Sequence, residues 1–90
     1  MGASKFPLGQ IVITTNAKDS LNPEDIPLAL ERHASGDWGD LGEADIRSNE
    51  IGLAQGLRLL SAYDDRAGIR FWIITEADRS ATTVLLPQDY

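Results

Sequence analysis

The last third of the chain holds three short runs of β-branched and aromatic residues, and these runs constrain the fold most strongly. They cover residues 57–63, 69–75 and 82–86. Only short turns separate them, and short connections join antiparallel neighbours. The pattern therefore predicts a three-stranded β-meander.

The middle run carries large apolar side chains on both of its faces. Alternation along a strand puts Phe71 and Ile73 on one face. Trp72 and Ile74 then lie on the other. One layer of helices covers only one face of a sheet, so Trp72 and Ile74 are candidate interface residues. They would meet a protein partner, or a second copy in a homodimer formed through the sheet.

The residues before the meander predict one strand followed by three helices. The strand covers residues 10–14. The first helix is capped by Thr15 or Asn16 and runs through Leu21, the second covers residues 26–34, and the third runs from Leu41 or Gly42 to Gln55. The order β-α-α-α-β-β-β is typical of an α+β fold. We expect an antiparallel sheet of three to four strands, with the N-terminal strand at an edge and the helices packed on one face. Residues 6–90 would form this single domain, and residues 1–5 a flexible N-terminus.

The third helix carries two further predictions. Asp40 and Glu43 have the spacing of a capping box at its start. Its inward stripe is expected at Ile46, Asn49 or Glu50, and Leu53. A buried amide must be hydrogen-bonded, so we expect Asn49 to tie the helix to a neighbouring loop.

Composition excludes several classes of function. The 90 residues include no cysteine, which excludes disulfides, thiol catalysis and cysteine-based zinc sites and fits a reducing compartment. No run approaches the roughly 20 apolar residues of a membrane span. The N-terminus also lacks the apolar stretch of a signal peptide. We therefore expect a cytoplasmic protein with no membrane partner.

The net charge of −6 is unevenly distributed. Residues 19–50 hold nine acidic and two basic residues, a net charge of −7 (2 − 9). One interpretation is a solvated acidic surface. The other is an acidic face for a small cation or a basic partner, such as a protein that handles nucleic acid. Direct binding of nucleic acid is not expected, because phosphate contacts need clustered lysine and arginine.

His33 is the only histidine, and no partner stands at triad spacing from it. A lone histidine on an apolar helical stripe is typical of a packed side chain. The alternative is a hydrogen bond to Asp37 or Trp38 that orders the following loop. Four residues could in principle ligate a metal: His33, Asp37, Asp40 and Asp45. Their spacing matches neither an EF-hand nor a zinc site. The sequence predicts no catalytic residue, no metal and no cofactor.

Trp38 lies between glycines and aspartates in the segment Gly36-Asp37-Trp38-Gly39-Asp40. It could close one end of the core, because one tryptophan buries roughly 150–250 Å². Alternatively, it is an exposed aromatic anchor in an acidic rim, as in many binding hot spots. The candidate binding residues are therefore His33, Asp37, Trp38, Asp40, Asp45 and Asn49.

Several groups of residues carry a family resemblance: 32–33, 35–41, 58–63, 72–80, 82–83, 85–87 and 89–90. Over roughly residues 6–90 the chain resembles a family of small bacterial proteins found on plasmids and other mobile elements. These are sometimes labelled plasmid-related or, loosely, type I restriction subunits. The family has no established activity, so the resemblance implies a mobile-element origin and assigns no functional residue. A chain of this size without a glycine-rich cofactor loop is too small for a methyltransferase.

Two hypotheses follow. The first is an accessory protein of a mobile element that binds a basic protein, either to block a host defence complex or to adjust a DNA-processing protein. The second is a small ligand-binding or enzymatic domain with a polar site around His33, Asp37, Asp45 and Asn49. The second requires those four side chains to converge in one pocket.

Overall fold

The computed structural model describes residues 4–90, which form three helices, four strands and a short C-terminal 3₁₀ helix. In chain order these are β1 Gln10–Ile13, α1 Thr15–Ser20, α2 Asp25–Ala34, α3 Glu43–Gln55, β2 Leu59–Asp64, β3 Arg70–Thr75, β4 Ala81–Leu85 and the 3₁₀ helix Pro87–Asp89. The predicted flexible segment 1–5 falls partly outside the described residues. Within the described part, Lys5 donates its backbone N–H to the carbonyl of Ala34 over 2.7 Å.

The four strands form one mixed sheet in the order β1-β4-β3-β2. Strands β2, β3 and β4 pair antiparallel, which confirms the predicted meander and the α+β class. Strand β1 lies at an edge, as predicted, but it runs parallel to β4. The expectation of an antiparallel sheet is therefore wrong at this strand. A parallel pair needs a long connection, and the helices together with β2 and β3 supply it.

One face of the sheet is covered by α1 and α2. Phe71 and Ile73 of β3 are 1% and 0% exposed on this face, in the positions that alternation predicts. They pack in a cluster with residues of α1, α2 and the neighbouring strands: Ala17, Leu21, Ile26, Ala29, Tyr63 and Val84. The central strand of the meander is thus the centre of the hydrophobic core.

Helix α3 differs from its prediction in two respects. Gly42 precedes the helix without a side-chain cap, because the carboxylate of Asp40 instead accepts a hydrogen bond from Arg70 over 2.6 Å. Ile46, predicted to face inward, is 37% exposed, whereas Asn49 is buried. The helix meets the edge of β2 through this amide, so the predicted apolar stripe is wrong at Ile46.

No helix within residues 4–90 combines the length and the apolar composition needed to cross a lipid bilayer.

Candidate functional site

A groove lies on the face of the sheet opposite α1 and α2. Its floor is Leu60 of β2 together with Trp72 and Ile74 of β3. Leu60 and Ile74 stand directly opposite each other in the antiparallel pair. The groove has a volume of about 330 Å³. Ile74 is 5% exposed, whereas Leu60 and Trp72 are half-buried, so the apolar floor is open to solvent at those two side chains.

Polar side chains form the walls of the groove. On one side, α3 supplies Asp45, Ser48 and Asn49. On the other side, the ring of the C-terminal Tyr90 meets Trp72 edge-on, with ring centroids 5.7 Å apart. Arg58 donates to the hydroxyl of Tyr90 over 2.9 Å, and its guanidinium lies 5.3 Å from the centre of that ring. Tyr90 is itself 69% exposed and therefore covers the floor only in part.

Asn49 fixes α3 against the edge of the sheet. Its Nδ2 donates to the carbonyl of Leu60 over 2.6 Å, and its Oδ1 accepts from the N–H of Leu60 over 3.0 Å. A neighbouring strand would form the same pair of bonds. The predicted hydrogen bonding of this amide is confirmed, but its partner is the backbone of β2 and not a loop.

Replacing Asn49 by leucine is expected to lower the free energy of unfolding by about 2 kcal/mol, because it leaves the N–H and C=O of Leu60 without partners. Urea unfolding followed by circular dichroism measures the loss. The control is Ser48→Leu at the adjacent exposed position, for which we expect a change within about 0.5 kcal/mol. Equal effects for both variants would show that this bond pair does not hold α3 to the sheet.

The three acidic candidates differ in whether their carboxylates form ion pairs with an arginine. Asp37 pairs with Arg32 at 2.7 Å, and this guanidinium lowers the pKa of the carboxyl. Asp40 pairs with Arg70 at 2.6 Å. Asp45 is exposed, and in the described part of the chain it forms no salt bridge. Among these three acids, Asp45 alone lines the groove, and its carboxylate is open to a ligand.

His33 lies within a buried series of hydrogen bonds that runs from Ser61 to the carbonyl of Leu8. Thr82 donates to the carbonyl of Leu8 over 2.6 Å, so its oxygen accepts from Thr75 over 2.7 Å. Thr75 therefore accepts from Nε2 of His33 over 2.9 Å. Nδ1 then accepts from the hydroxyl of Ser61 over 2.5 Å. The carbonyl at the end of the series thus fixes the neutral tautomer with its proton on Nε2.

The environment of His33 is that of a packed core side chain. The side chain is 0% exposed, and burial lowers the pKa of the imidazole to about 4, with a further contribution from the charge of Arg79. The ring is therefore neutral near pH 7, with both nitrogens engaged. The packed interpretation is confirmed. The predicted alternative, a hydrogen bond to Asp37 or Trp38, is wrong.

Trp38 closes the core beside this histidine. It is 4% exposed, stacks on Phe6 with centroids 6.1 Å apart, and meets the His33 ring edge-on at 5.7 Å. Its indole Nε1 donates to Glu50 of α3 over 2.8 Å. The core-closing interpretation is confirmed, and the exposed-anchor interpretation is wrong. Gly39 then turns the loop at a φ of +75°, a conformation that favours glycine.

The eight candidate residues that the sequence predicts lie in three different places. Four line the groove: Asp45, Asn49, Trp72 and Ile74. Two lie in the core: His33 and Trp38. Two form exposed ion pairs: Asp37 and Asp40. The four-residue polar site of the second hypothesis is not assembled, since only Asp45 and Asn49 share a pocket.

Sequence patterns did not indicate five of the groove residues: the apolar Leu59 and Leu60 and the polar Ser48, Arg58 and Tyr90. Ser48 could have been found, because it lies three residues after Asp45 on one helix and therefore on the same face. Arg58 precedes β2 and Tyr90 follows the last element. These two meet through the tertiary fold alone, so no local pattern could indicate them.

In the part of the chain that the structure describes, no three His, Cys, Asp or Glu side chains cluster closely enough to hold a metal. Comparisons with protein-family models, with curated proteins and with solved structures give no match. The resemblance to plasmid-borne proteins stays a prediction.

Proposed function

We propose that this protein is a small interaction module that binds a segment of a basic partner protein in the groove between α3 and Tyr90. The apolar floor of Leu60, Trp72 and Ile74 carries the proposal. An apolar surface that the fold leaves accessible, rimmed by polar groups, is typical of an interaction site. Tryptophan is also among the residues that contribute most to binding energy.

Asp45 and the net charge of the whole chain support a basic segment. Asp45 has no counter-ion among residues 4–90, so a lysine or arginine of the partner gains an ion pair without displacing another. Arg58 also lines the groove and offsets the charge of Asp45 locally, because its contacts with Tyr90 do not neutralise a guanidinium. The net charge of −6 adds a long-range attraction. The expected partner segment places an apolar side chain next to a basic one.

In this proposal the chain is an accessory protein of a mobile element. Its partner would be a subunit of a host defence complex or a DNA-processing protein, both of which commonly carry basic surfaces. The family resemblance supports this setting, and the acidic composition argues against direct contact with nucleic acid.

A small apolar cation is the second candidate ligand. The groove volume of about 330 Å³ favours it, because small-molecule sites measure roughly 300–1,000 Å³. The floor would take the apolar part of such a ligand, and Asp45 would take its charge. An enzymatic role built on His33 has no support, because that ring is sealed in the core.

Selection from a random peptide library displayed on phage tests the proposal. We expect enrichment of peptides in which an aromatic or large aliphatic residue stands beside lysine or arginine. A long side chain at the exposed Ser48 would fill the groove, so Ser48→Arg is expected to bind an enriched peptide at least about 10-fold more weakly. Fluorescence anisotropy measures this affinity, which should also fall as salt rises.

Matched variants separate the groove from the rest of the surface. Ala54→Arg adds the same side chain to an exposed position of α3 outside the groove. Asp45→Asn and Glu31→Gln each remove one exposed acid, and only the first of these lines the groove. The proposal would be contradicted if Ser48→Arg and Ala54→Arg weakened peptide binding equally, or if Asp45→Asn and Glu31→Gln did. Enrichment of acidic peptides would contradict it as well. Aromatic amines that raise the Tm while no peptide is enriched would favour the second candidate.

A further inference from the structure

The two edge strands of the sheet, β2 and β1, differ in whether their outer backbone groups have hydrogen-bond partners. The edge of β2 is occupied at Leu60 and Ala62. Asn49 bonds both backbone groups of Leu60, the N–H of Ala62 donates to the carbonyl of Trp38 over 3.1 Å, and the N–H of Asp40 donates to the carbonyl of Ala62 over 2.8 Å. The side chain of Asn49 and the loop of residues 38–40 thus occupy the positions at which a further strand would pair.

In the described part of the chain, the edge of β1 has no such cover. Gln10 donates to Ser80 over 2.9 Å and Thr14 donates to Val84 over 3.0 Å, so the even-numbered residues of β1 face β4. Backbone groups alternate in direction along a strand, so the N–H and C=O of Ile11 and Ile13 point away from the sheet. Within residues 4–90, β1 pairs with β4 alone.

Three of the four side chains of β1 are apolar and accessible. Ile11, Val12 and Ile13 are 41%, 41% and 38% exposed. The strand contains no charge and no proline, two of the devices by which edge strands avoid pairing, and its length of four residues is the one such device that it has. The edge at β1 is apolar and uncovered, whereas the opposite edge at β2 is occupied. This difference indicates that β1 pairs with a strand from outside the chain.

We infer that this strand is β1 of a second copy, joined antiparallel across a two-fold axis at Val12. In this register Ile11 of each copy stands opposite Ile13 of the other. These are the residues whose backbone groups point outward, so both pairs form the full set of antiparallel bonds. The two Val12 side chains stand opposite each other at the axis. The strand is therefore complementary to itself, as a two-fold interface requires.

The contact strip is uncharged, which a second copy as the occupant requires because two acidic chains repel each other. The chain carries a net charge of −6, and its acids are concentrated in residues 19–50. Strand β1 and the facing strand β4 (Ala81–Leu85) contain no charged residue. Two copies can therefore approach along this strip without placing like charges opposite each other. The contact is small beside the roughly 20–30 residues a side of a standard interface, so we expect a reversible dimer.

Sedimentation and amide exchange on the full chain test this inference. We expect the apparent mass to rise from 9.8 kDa toward twice that value as concentration increases from about 10 μM to about 1 mM. Over the same range, the amide protons of Ile11 and Ile13 should change from fast to slow exchange. The amide protons of Leu60 and Ala62 should be slow throughout, because they are bonded within one chain.

Substitutions at the axis supply the matched comparison. Val12→Lys places two lysines opposite each other and is expected to abolish the dimer, whereas Val12→Thr keeps it. Leu28→Lys, at another exposed apolar residue, is expected to leave the dimer unchanged. A monomer at about 1 mM with fast exchange at Ile11 and Ile13 would overturn the inference. A dimer that survives Val12→Lys, or one that Ser48→Arg removes, would also overturn it, the latter by moving the contact to the groove.

Discussion

Replacing Trp38 by alanine is expected to lower the free energy of unfolding by about 3–5 kcal/mol, the largest single loss that we predict for this chain. The indole is buried, stacks on Phe6 and donates to Glu50. Its removal leaves a cavity between the N-terminal segment and α3, and a carboxylate without its donor. A small domain has roughly 5–15 kcal/mol of stability in all, so this loss is a large share. Urea unfolding followed by far-ultraviolet circular dichroism measures it.

The other tryptophan of the chain provides the control. Trp72 is half-buried in the groove floor, so Trp72→Ala is expected to cost less, about 1–2 kcal/mol. Trp38→Phe keeps most of the apolar ring and removes the indole N–H, for which we expect about 1 kcal/mol. If Trp38→Ala and Trp72→Ala destabilise equally, Trp38 is not the residue that closes the core.

Acidification from pH 7 to pH 5 is expected to cost about 2 kcal/mol of stability through His33. Burial lowers the pKa of this imidazole to about 4 in the folded chain, whereas an unfolded histidine has a pKa of about 6.5. Below about pH 6.5 the unfolded chain therefore binds the proton first. The stabilisation is fully present above that pH and declines until the pH reaches the folded value, for a total loss of about 3 kcal/mol.

His33→Gln separates this effect from the titration of the carboxylates. The variant is less stable at pH 7, but it lacks the titrating ring, so its stability should change little between pH 7 and pH 5. Carboxyls whose pKa is lowered by hydrogen bonds, such as Asp25 and Asp65, lose their contribution mainly below about pH 4. Parallel pH profiles for the wild type and His33→Gln would contradict a buried neutral histidine.

The meander could be predicted because the residues that define it are close together in the sequence. Short turns separate its strands, and alternation correctly placed Phe71 and Ile73 in the core. The partner of β1 could not be predicted, because a strand pattern does not say which strand it joins or in which direction. The predicted capping box at the start of α3 is wrong for a similar reason. Asp40 has the spacing of a cap, but Arg70, thirty positions along the chain, engages its carboxylate.

The candidate site was predictable in part. Apolar side chains on both faces of β3 indicated a surface in need of a second cover, and Trp72 and Ile74 do form the floor of the groove. The polar cluster around His33 did not assemble. A sequence does not distinguish a histidine whose nitrogens are both bonded in the core from one that faces a ligand, because Ser61 and Thr75 reach the ring only through the sheet.

The two indole N–H signals in a proton–nitrogen correlation spectrum give the most direct test of the groove as the binding surface. The indole of Trp72 lies in the groove floor, and that of Trp38 is bonded to Glu50 in the core. On titration with the tightest peptide from the phage selection, we predict that the Trp72 indole and the backbone amides of Asp45 and Ser48 shift while the Trp38 indole stays in place. Shifts confined to residues outside the groove, with the Trp72 signal unchanged, would contradict the account.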